Sequence, residues 1–214
     1  MRGPLSPVRL WIAAIASFAL ALAGTDAPPP QHIQEGALDD IVLHAAAVPP
    51  LGPVVIRLFP ADQAVLGTGA EGGKDTRVAA AKTMQTTGPK LLADAFVAEL
   101  KKLGPYADVR LDDGGTIPMN ALVIEGEFTQ LDPGSRAKRY WGGFGAGKSG
   151  TEVKGRVTTA AGDLLAEFRQ KRIAVMGFFG GDYESKMRSD CKSIGEDIAS
   201  FLSKWAKRKR LTDD

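Results

Sequence analysis

Residues 151–176 read TEVKGRVTTAAGDLLAEFRQKRIAVM, and this stretch predicts a β-hairpin. Apolar or small residues alternate with charged ones over 151–159, which is the period-two pattern of a strand with one buried face. The inward positions are Val153, Gly155 and Val157, and the outward positions are Glu152, Lys154 and Arg156. Residues 161–163, Ala-Gly-Asp, supply the turn, and 164–176 return as the partner strand.

Two helices are predicted to accompany this hairpin. The last helix runs from about Tyr183 to Lys207 and carries an apolar stripe in steps of four and three. The stripe consists of Met187, Cys191, Ile194, Ile198, Phe201 and Trp205. The first helix is predicted to begin at Pro89, with Thr87 as its N-cap, and to end at Gly104. Residues 61–86, before it, predict mainly a long loop.

Three further strands are predicted over 54–59, 106–111 and 121–129, each bounded by proline, glycine or aspartate. The order along the chain is strand, helix, strand, strand, hairpin, helix. This order predicts an α+β fold, in which two helices pack on one face of a mostly antiparallel sheet. We expect a single domain over 54–207 and a charged tail over 208–214.

The N-terminal segment has the pattern of an export signal. Residues 1–23 combine two arginines, an apolar stretch from Leu10 to Ala23 and a small-residue cleavage site, as secretory signal peptides do. Thr25 stands where the lipid-bearing cysteine of a bacterial lipoprotein would be, so lipid anchoring is not expected. We expect periplasmic or extracellular localisation. Residues 24–53 contain several prolines and predict a linker, with a short helix at about 37–47.

Composition excludes several classes of protein. The formal net charge is +2, and removal of residues 1–23 leaves 25 basic and 25 acidic residues, so nothing favours nucleic acid as a partner. The one cysteine, Cys191, cannot form an internal disulfide and is expected to be buried on the last helix. The two histidines are His32 and His44, in the predicted linker. We therefore expect no metal site, no cofactor and no catalytic set of residues, and hence no enzyme.

One motif, in contrast, is typical of nucleotide-binding enzymes. Residues 142–149 read GGFGAGKS and fit the phosphate-binding loop of P-loop nucleotide hydrolases. A true P-loop lies between a buried strand and a helix that begins at its Lys-Ser pair. Here the preceding residues are charged, and the following residues alternate as a strand does. P-loop nucleotide binding is therefore kept only as the alternative enzymatic hypothesis.

The same region predicts a surface for interaction. Exposed aromatic side chains beside basic ones are typical of protein interfaces and also of lipid headgroup surfaces. The residues in question are Arg139, Tyr140, Trp141, Phe144 and Lys148. The partner would be an envelope protein, or an anionic lipid surface with help from the basic residues over 204–210. The glycines over 142–150 by themselves favour a tight bulged loop with a structural role, to which the contact surface is the alternative.

The chain resembles a bacterial envelope family, the domain of unknown function numbered 4410. The resemblance rests on 121–128 (ALVIEGEF), 132–135 (DPGS) with Arg139, and 143–149 (GFGAGKS) before the hairpin. It covers about 54–202 and is most specific over 121–165. It implies export and, in other members, a lipoprotein cysteine that Thr25 replaces here; it implies no reaction and no catalytic residues. The hypothesis is a non-enzymatic interaction or assembly module of the envelope, and the alternative is a peripheral membrane-binding protein.

Overall fold

The computed structural model describes residues 30–33, 38–44, 51–66, 75–132, 149–174 and 183–207. Its helices are α1 (Asp75–Leu103) and α2 (Tyr183–Ala206). Its strands are β1 (Gln31–Ile33), β2 (Asp40–Leu43), β3 (Val54–Ile56), β4 (Val65–Leu66), β5 (Val109–Leu111), β6 (Leu122–Asp132), β7 (Ser149–Thr159) and β8 (Leu164–Ala174). None of the helices in these ranges is long and apolar enough to cross a membrane.

All eight strands belong to one sheet, in the order β1-β2-β8-β7-β6-β3-β5, with β4 beside β6. The long strands β6, β7 and β8 form its antiparallel centre, and the predicted hairpin is β7–β8. Parallel pairing joins β3 to β5 and to β6, and β4 to β6. The predicted α+β fold, with a mostly antiparallel sheet, is confirmed.

Both helices pack on one face of the sheet, which we call the covered face. Alternate residues of the central strands point into this layer, and Val153 and Val157 are fully buried there, as their period-two spacing predicts. A β-bulge at Thr129 inserts one extra residue into β6. Phe128 before the bulge and Leu131 beyond it can therefore both be buried.

Aromatic rings connect the sheet to α2. Phe168 on β8 lies 6.4 Å from Phe59 and 6.4 Å from Phe201, measured between ring centroids. Gly126 and Gly155 are register partners on β6 and β7 beneath these rings. A Cβ at Gly155 would collide with the Phe168 ring, and one at Gly126 would collide with Phe59. Glycine is therefore required at both positions for the rings to lie against the sheet.

The helices approach each other closely through glycine. A Cβ at Gly195 of α2 would collide with the carbonyl oxygen of Leu92 on α1. The predicted apolar stripe of α2 is confirmed, since all six of its residues are buried. Gly104 ends α1 with a φ of 62°, and its amide donates to the Leu100 carbonyl at 3.1 Å, also as predicted.

The predicted start of α1 is wrong. The helix begins at Asp75, so Thr87 and Pro89 lie inside it rather than at its beginning. Thr87 does not cap a helix; its hydroxyl donates to the Thr83 carbonyl at 2.8 Å, one turn earlier. Proline removes one backbone hydrogen bond from a helix but does not always end it. Met84 lies before the proline and Leu92 after it, and both are buried. The apolar face of α1 therefore continues on both sides of Pro89.

The stretch 24–53 also differs from its prediction. The short helix expected at about 37–47 is wrong, because Asp40–Leu43 is the strand β2. β2 pairs antiparallel with β8, and β1 pairs with β2, so two strands of the sheet lie within the predicted linker. The Asp39 carboxylate accepts the Lys171 amide at 2.6 Å, and the Asp39 amide donates to Gln170 at 2.9 Å. These contacts hold the start of β2 against β8.

Candidate functional site

The second face of the sheet carries charged side chains and is exposed; we call it the open face. The residues that alternate with the core positions of β6, β7 and β8 point to this side. Lys154 and Arg156 on β7 are 62% and 59% exposed, whereas their neighbours Val153 and Val157 are fully buried. Thus the two faces of one strand differ completely in environment.

A row of alternating charge crosses the open face at right angles to the strands. In order across the sheet it consists of Asp112, Arg57, Glu125, Arg156 and Glu167. Strand register produces this order, because Glu125 is the partner of Arg156, and Arg156 is the partner of Glu167. Arg57 and Asp112 directly follow β3 and β5, which lie beside β6 in the same order. We call these five residues the charged row.

Glu125 is at the centre of the charged row and bridges two arginines. One of its oxygens accepts Arg57 Nη1 at 2.6 Å, and the other accepts Arg156 Nε at 2.6 Å. The hydrogen bond from Arg57, opposed by partial burial and supported by Arg156, lowers the pKa of the Glu125 carboxyl. The carboxylate of Glu125 is therefore held in its charged form.

Asp112 ends the row through a turn that fixes its side chain. Its carboxylate accepts the Gly114 amide at 3.0 Å and Arg57 Nε at 3.1 Å. The backbone hydrogen bond from Gly114 and then the Arg57 guanidinium lower the pKa of Asp112. The carboxylates of Glu125 and Asp112 in turn raise the pKa of Arg57.

Further ion pairs lie on the open face beside the charged row, on the same strands β6, β7 and β8. Glu127 pairs with Lys154 at 2.9 Å, and Glu152 pairs with Lys171 at 2.9 Å. Glu127, Lys154 and Arg169 are successive register partners on β6, β7 and β8, and we call these three residues the second row. Its last two members are adjacent cations. At the far end of the charged row, His44 Nε2 lies 2.7 Å from Glu167.

Two depressions flank the centre of the charged row. The larger has a volume of about 630 Å³, and its floor includes Gly126 and Gly155. The smaller, of about 260 Å³, lies toward the β7–β8 turn and is lined by Ile117 and Leu164 among others. Arg57, Glu125 and Arg156 line both. These three residues are therefore the best placed for contact with a ligand or partner.

The chemistry available here is binding by charge. Over the ranges given above, no three His, Cys, Asp or Glu residues come together as a metal site needs. Cys191 is fully buried, as predicted, and burial raises the pKa of its thiol to about 12, so it is a poor nucleophile. The charged row consists of two arginines and three carboxylates, so neighbouring charges in it are of opposite sign.

The sequence-predicted interaction residues lie outside the described residues. This applies to Arg139, Tyr140, Trp141, Phe144 and Lys148, and to the basic residues over 208–210. Ser149, the last residue of the P-loop pattern, is the first residue of β7. A strand thus begins where a phosphate-binding loop would require a helix.

Part of the predicted C-terminal basic cluster lies within the described residues. Lys207 donates to the Leu103 carbonyl at 2.7 Å and so connects the C-terminal ends of both helices.

Sequence reasoning missed the charged row, although part of its signal was present. The outward positions Glu152, Lys154 and Arg156 were recognised as one polar face of a strand. Their partners lie far away in the chain, since Arg57 and Arg156 are separated by almost a hundred residues. Only the strand order brings these residues into one row.

Comparison with known proteins gives a family and similar solved structures. The family model described as Domain of unknown function (DUF4410) matches residues 54–177. The PelC dodecamer from Paraburkholderia phytofirmans is 13% identical, with 81% of this chain and 96% of that chain covered and a TM-score of 0.43. A single-substitution variant of it is 15% identical, with 76% and 95% covered and a TM-score of 0.42. None of the curated proteins matches the chain.

Proposed function

The chain belongs to the DUF4410 family, and on that premise we propose that it is an exported, non-enzymatic interaction module whose open face binds a partner protein. The observation that carries this proposal is the charged row, in which Arg57 and Arg156 are exposed, Glu125 is half-buried between them, and all three line two depressions. Export rests on the signal-like sequence of residues 1–23.

The protonation of the charged row supports binding rather than catalysis. A general acid or base needs a pKa near the working pH so that it can both take up and release a proton. The pKa values of Glu125 and Asp112 are lowered and that of Arg57 is raised, which moves each of them away from neutrality. These groups keep their charge and serve recognition.

The arrangement of charges favours a protein partner. Complementary charges at an interface guide association and select the partner. A row of alternating sign offers no block of positive charge for a polyanion such as nucleic acid and none for an anionic lipid surface. A folded protein surface can present charges of both signs at fixed spacing.

A pull-down from the envelope fraction of the host, with mass spectrometry on the retained proteins, tests this function. The bait is residues 24–214, and Arg156→Glu is the variant that changes the row. Lys90→Glu, at an exposed position of α1 on the other side of the molecule, is the control with the same change in charge. We expect a protein that wild type and control retain and Arg156→Glu loses, while circular dichroism shows all three folded.

Three outcomes would overturn the proposal. If Arg156→Glu retains every protein that the wild type retains, the open face is not the binding surface. If a protein retained by the wild type and by Arg156→Glu is lost by the double variant Trp141→Ala, Phe144→Ala, the predicted interaction loop is the contact surface. If none of the baits retains a specific protein, the module does not act through a stable protein partner.

A further inference from the structure

We infer that the partner of the open face is a second copy of this chain, stacked face to face about a two-fold axis that lies between β6 and β7. This inference rests on the proposed function and names the partner. It is carried by the order of charges in the charged row and by the spacing of the strands.

The charged row is complementary to itself. Neighbouring strands are about 4.8 Å apart, so the charges of the row follow one another at a nearly constant interval. A two-fold axis along the strands, between β6 and β7, places Glu125 of one copy opposite Arg156 of the other, and Arg57 opposite Glu167. Each of these contacts joins opposite charges, and symmetry makes each occur twice.

The second row selects the same axis. There, Glu127 on β6 and Lys154 on β7 are register partners, so the axis between β6 and β7 places Glu127 opposite Lys154 of the second copy. An axis one strand further along, between β7 and β8, would place Lys154 opposite Arg169, since these two are register partners. The first axis joins opposite charges in both rows, whereas the second opposes two cations.

The spacing explains why a second copy fits better than another ligand. Backbone hydrogen bonding fixes the interval between strands, so the partner that repeats this interval in both rows is another sheet. Two sheets can pack with their strands nearly aligned and about 10 Å apart. A second copy supplies both the interval and the opposite order of signs.

Such a contact would be weak and dependent on salt. Ion pairs among half-exposed side chains are screened at high ionic strength, and each contributes little. Charged side chains surround the larger depression, whose apolar lining comes from Leu58, Pro60 and Phe168. Self-association is therefore expected at high protein concentration and low salt.

Sedimentation velocity with residues 24–214 provides the test. The wild type should be largely dimeric in about 50 mM salt and dissociate at least about tenfold more readily in about 500 mM salt. Glu127→Lys and Lys154→Glu change exposed residues and should each be monomeric alone, because each opposes like charges across the axis. An equimolar mixture of these two variants should form a dimer, because every contact in the mixed pair joins opposite charges. Lys90→Glu should behave like wild type.

Three results would overturn the inference. The first is a wild-type chain that stays monomeric in low salt, and the second is a dimer that both variants retain. The third is a mixture of variants that does not associate, which would refute the axis between β6 and β7. In each case the pull-down decides the proposed function separately, since a protein other than this chain that Arg156→Glu alone loses would leave that function standing.

Discussion

The two faces of the sheet are built from the same strands and have opposite chemistry. On the covered face, Val153, Val157 and Phe168 are buried beneath the helices, and exclusion of apolar surface from water stabilises the fold. On the open face, Lys154 and Arg156 are exposed and form ion pairs with Glu127 and Glu125. The comparison places the apolar packing that stabilises the fold on one face and the exposed ion pairs, which form the proposed partner surface, on the other.

The sharpest test of this division compares two consecutive residues of β8. Phe168→Ala removes a ring that contacts Phe59 and Phe201, and we expect the free energy of unfolding to fall by about 4 kcal/mol. Arg169→Ala, on the open face, should change it by less than about 0.5 kcal/mol. Urea unfolding measures both. Equal losses would show that the open face also contributes to the core.

A second test uses the glycines of β7. Gly155→Ala forces a Cβ toward the Phe168 ring and the Glu125 carbonyl, and should lower the free energy of unfolding by about 2 kcal/mol. Gly150→Ala is the control, since its Cβ would meet its nearest atoms only at 3.8 Å. Thermal unfolding of the two variants gives the difference. A Gly155→Ala protein as stable as the control would mean that Phe168 does not rest on the sheet.

The smallest effect concerns pH and the open face alone. Folding lowers the pKa values of Glu125 and Asp112, so their ionised forms stabilise the folded state. This contribution to the free energy of unfolding is complete above their ordinary pKa values near 4. It is lost as the pH falls through the lower pKa values of the folded state. Glu125→Gln should remove part of this loss, amounting to at most about 1 kcal/mol after screening by solvent. Urea unfolding at neutral and acidic pH measures it.

The control for this third test is Asp94→Asn, which removes a carboxylate from α1, outside the charged row. If Asp94→Asn flattened the acid dependence as much as Glu125→Gln does, the charged row would have no special part in it. Phe168→Ala, in contrast, should lower the stability by a similar amount at neutral and acidic pH, because no proton is involved.

Local patterns predicted the centre of the fold correctly. The α2 stripe and the β7–β8 alternation depend on which side of an element is apolar, and this is visible in neighbouring residues. The start of α1 was mispredicted because Pro89 favours a helix beginning, while the buried residues before it favour a continued helix. The strands β1 and β2 were missed because they are short and form through long-range pairing, β2 with β8 and β1 with β2.

The candidate site was predictable only in part for a related reason. The polar side of β7 was evident, but neither Arg57 nor Asp112 has a strand pattern that links it to Glu125. Their positions depend on parallel pairing between β3, β5 and β6, segments that are distant in sequence. The interaction loop around Trp141 lies outside the described residues, so it stays a prediction.

Gly126 and Gly155 create a place where the two sides of the sheet are not independent. Elsewhere on β6 and β7 a substitution affects mainly the side to which it points, so the charged surface can drift during evolution without disturbing the interior. At the glycine pair, aromatic rings press on one side of the backbone, and that backbone is the floor of the larger depression on the other. New partners can therefore be acquired through changes in the walls of this depression, while its floor is constrained from behind.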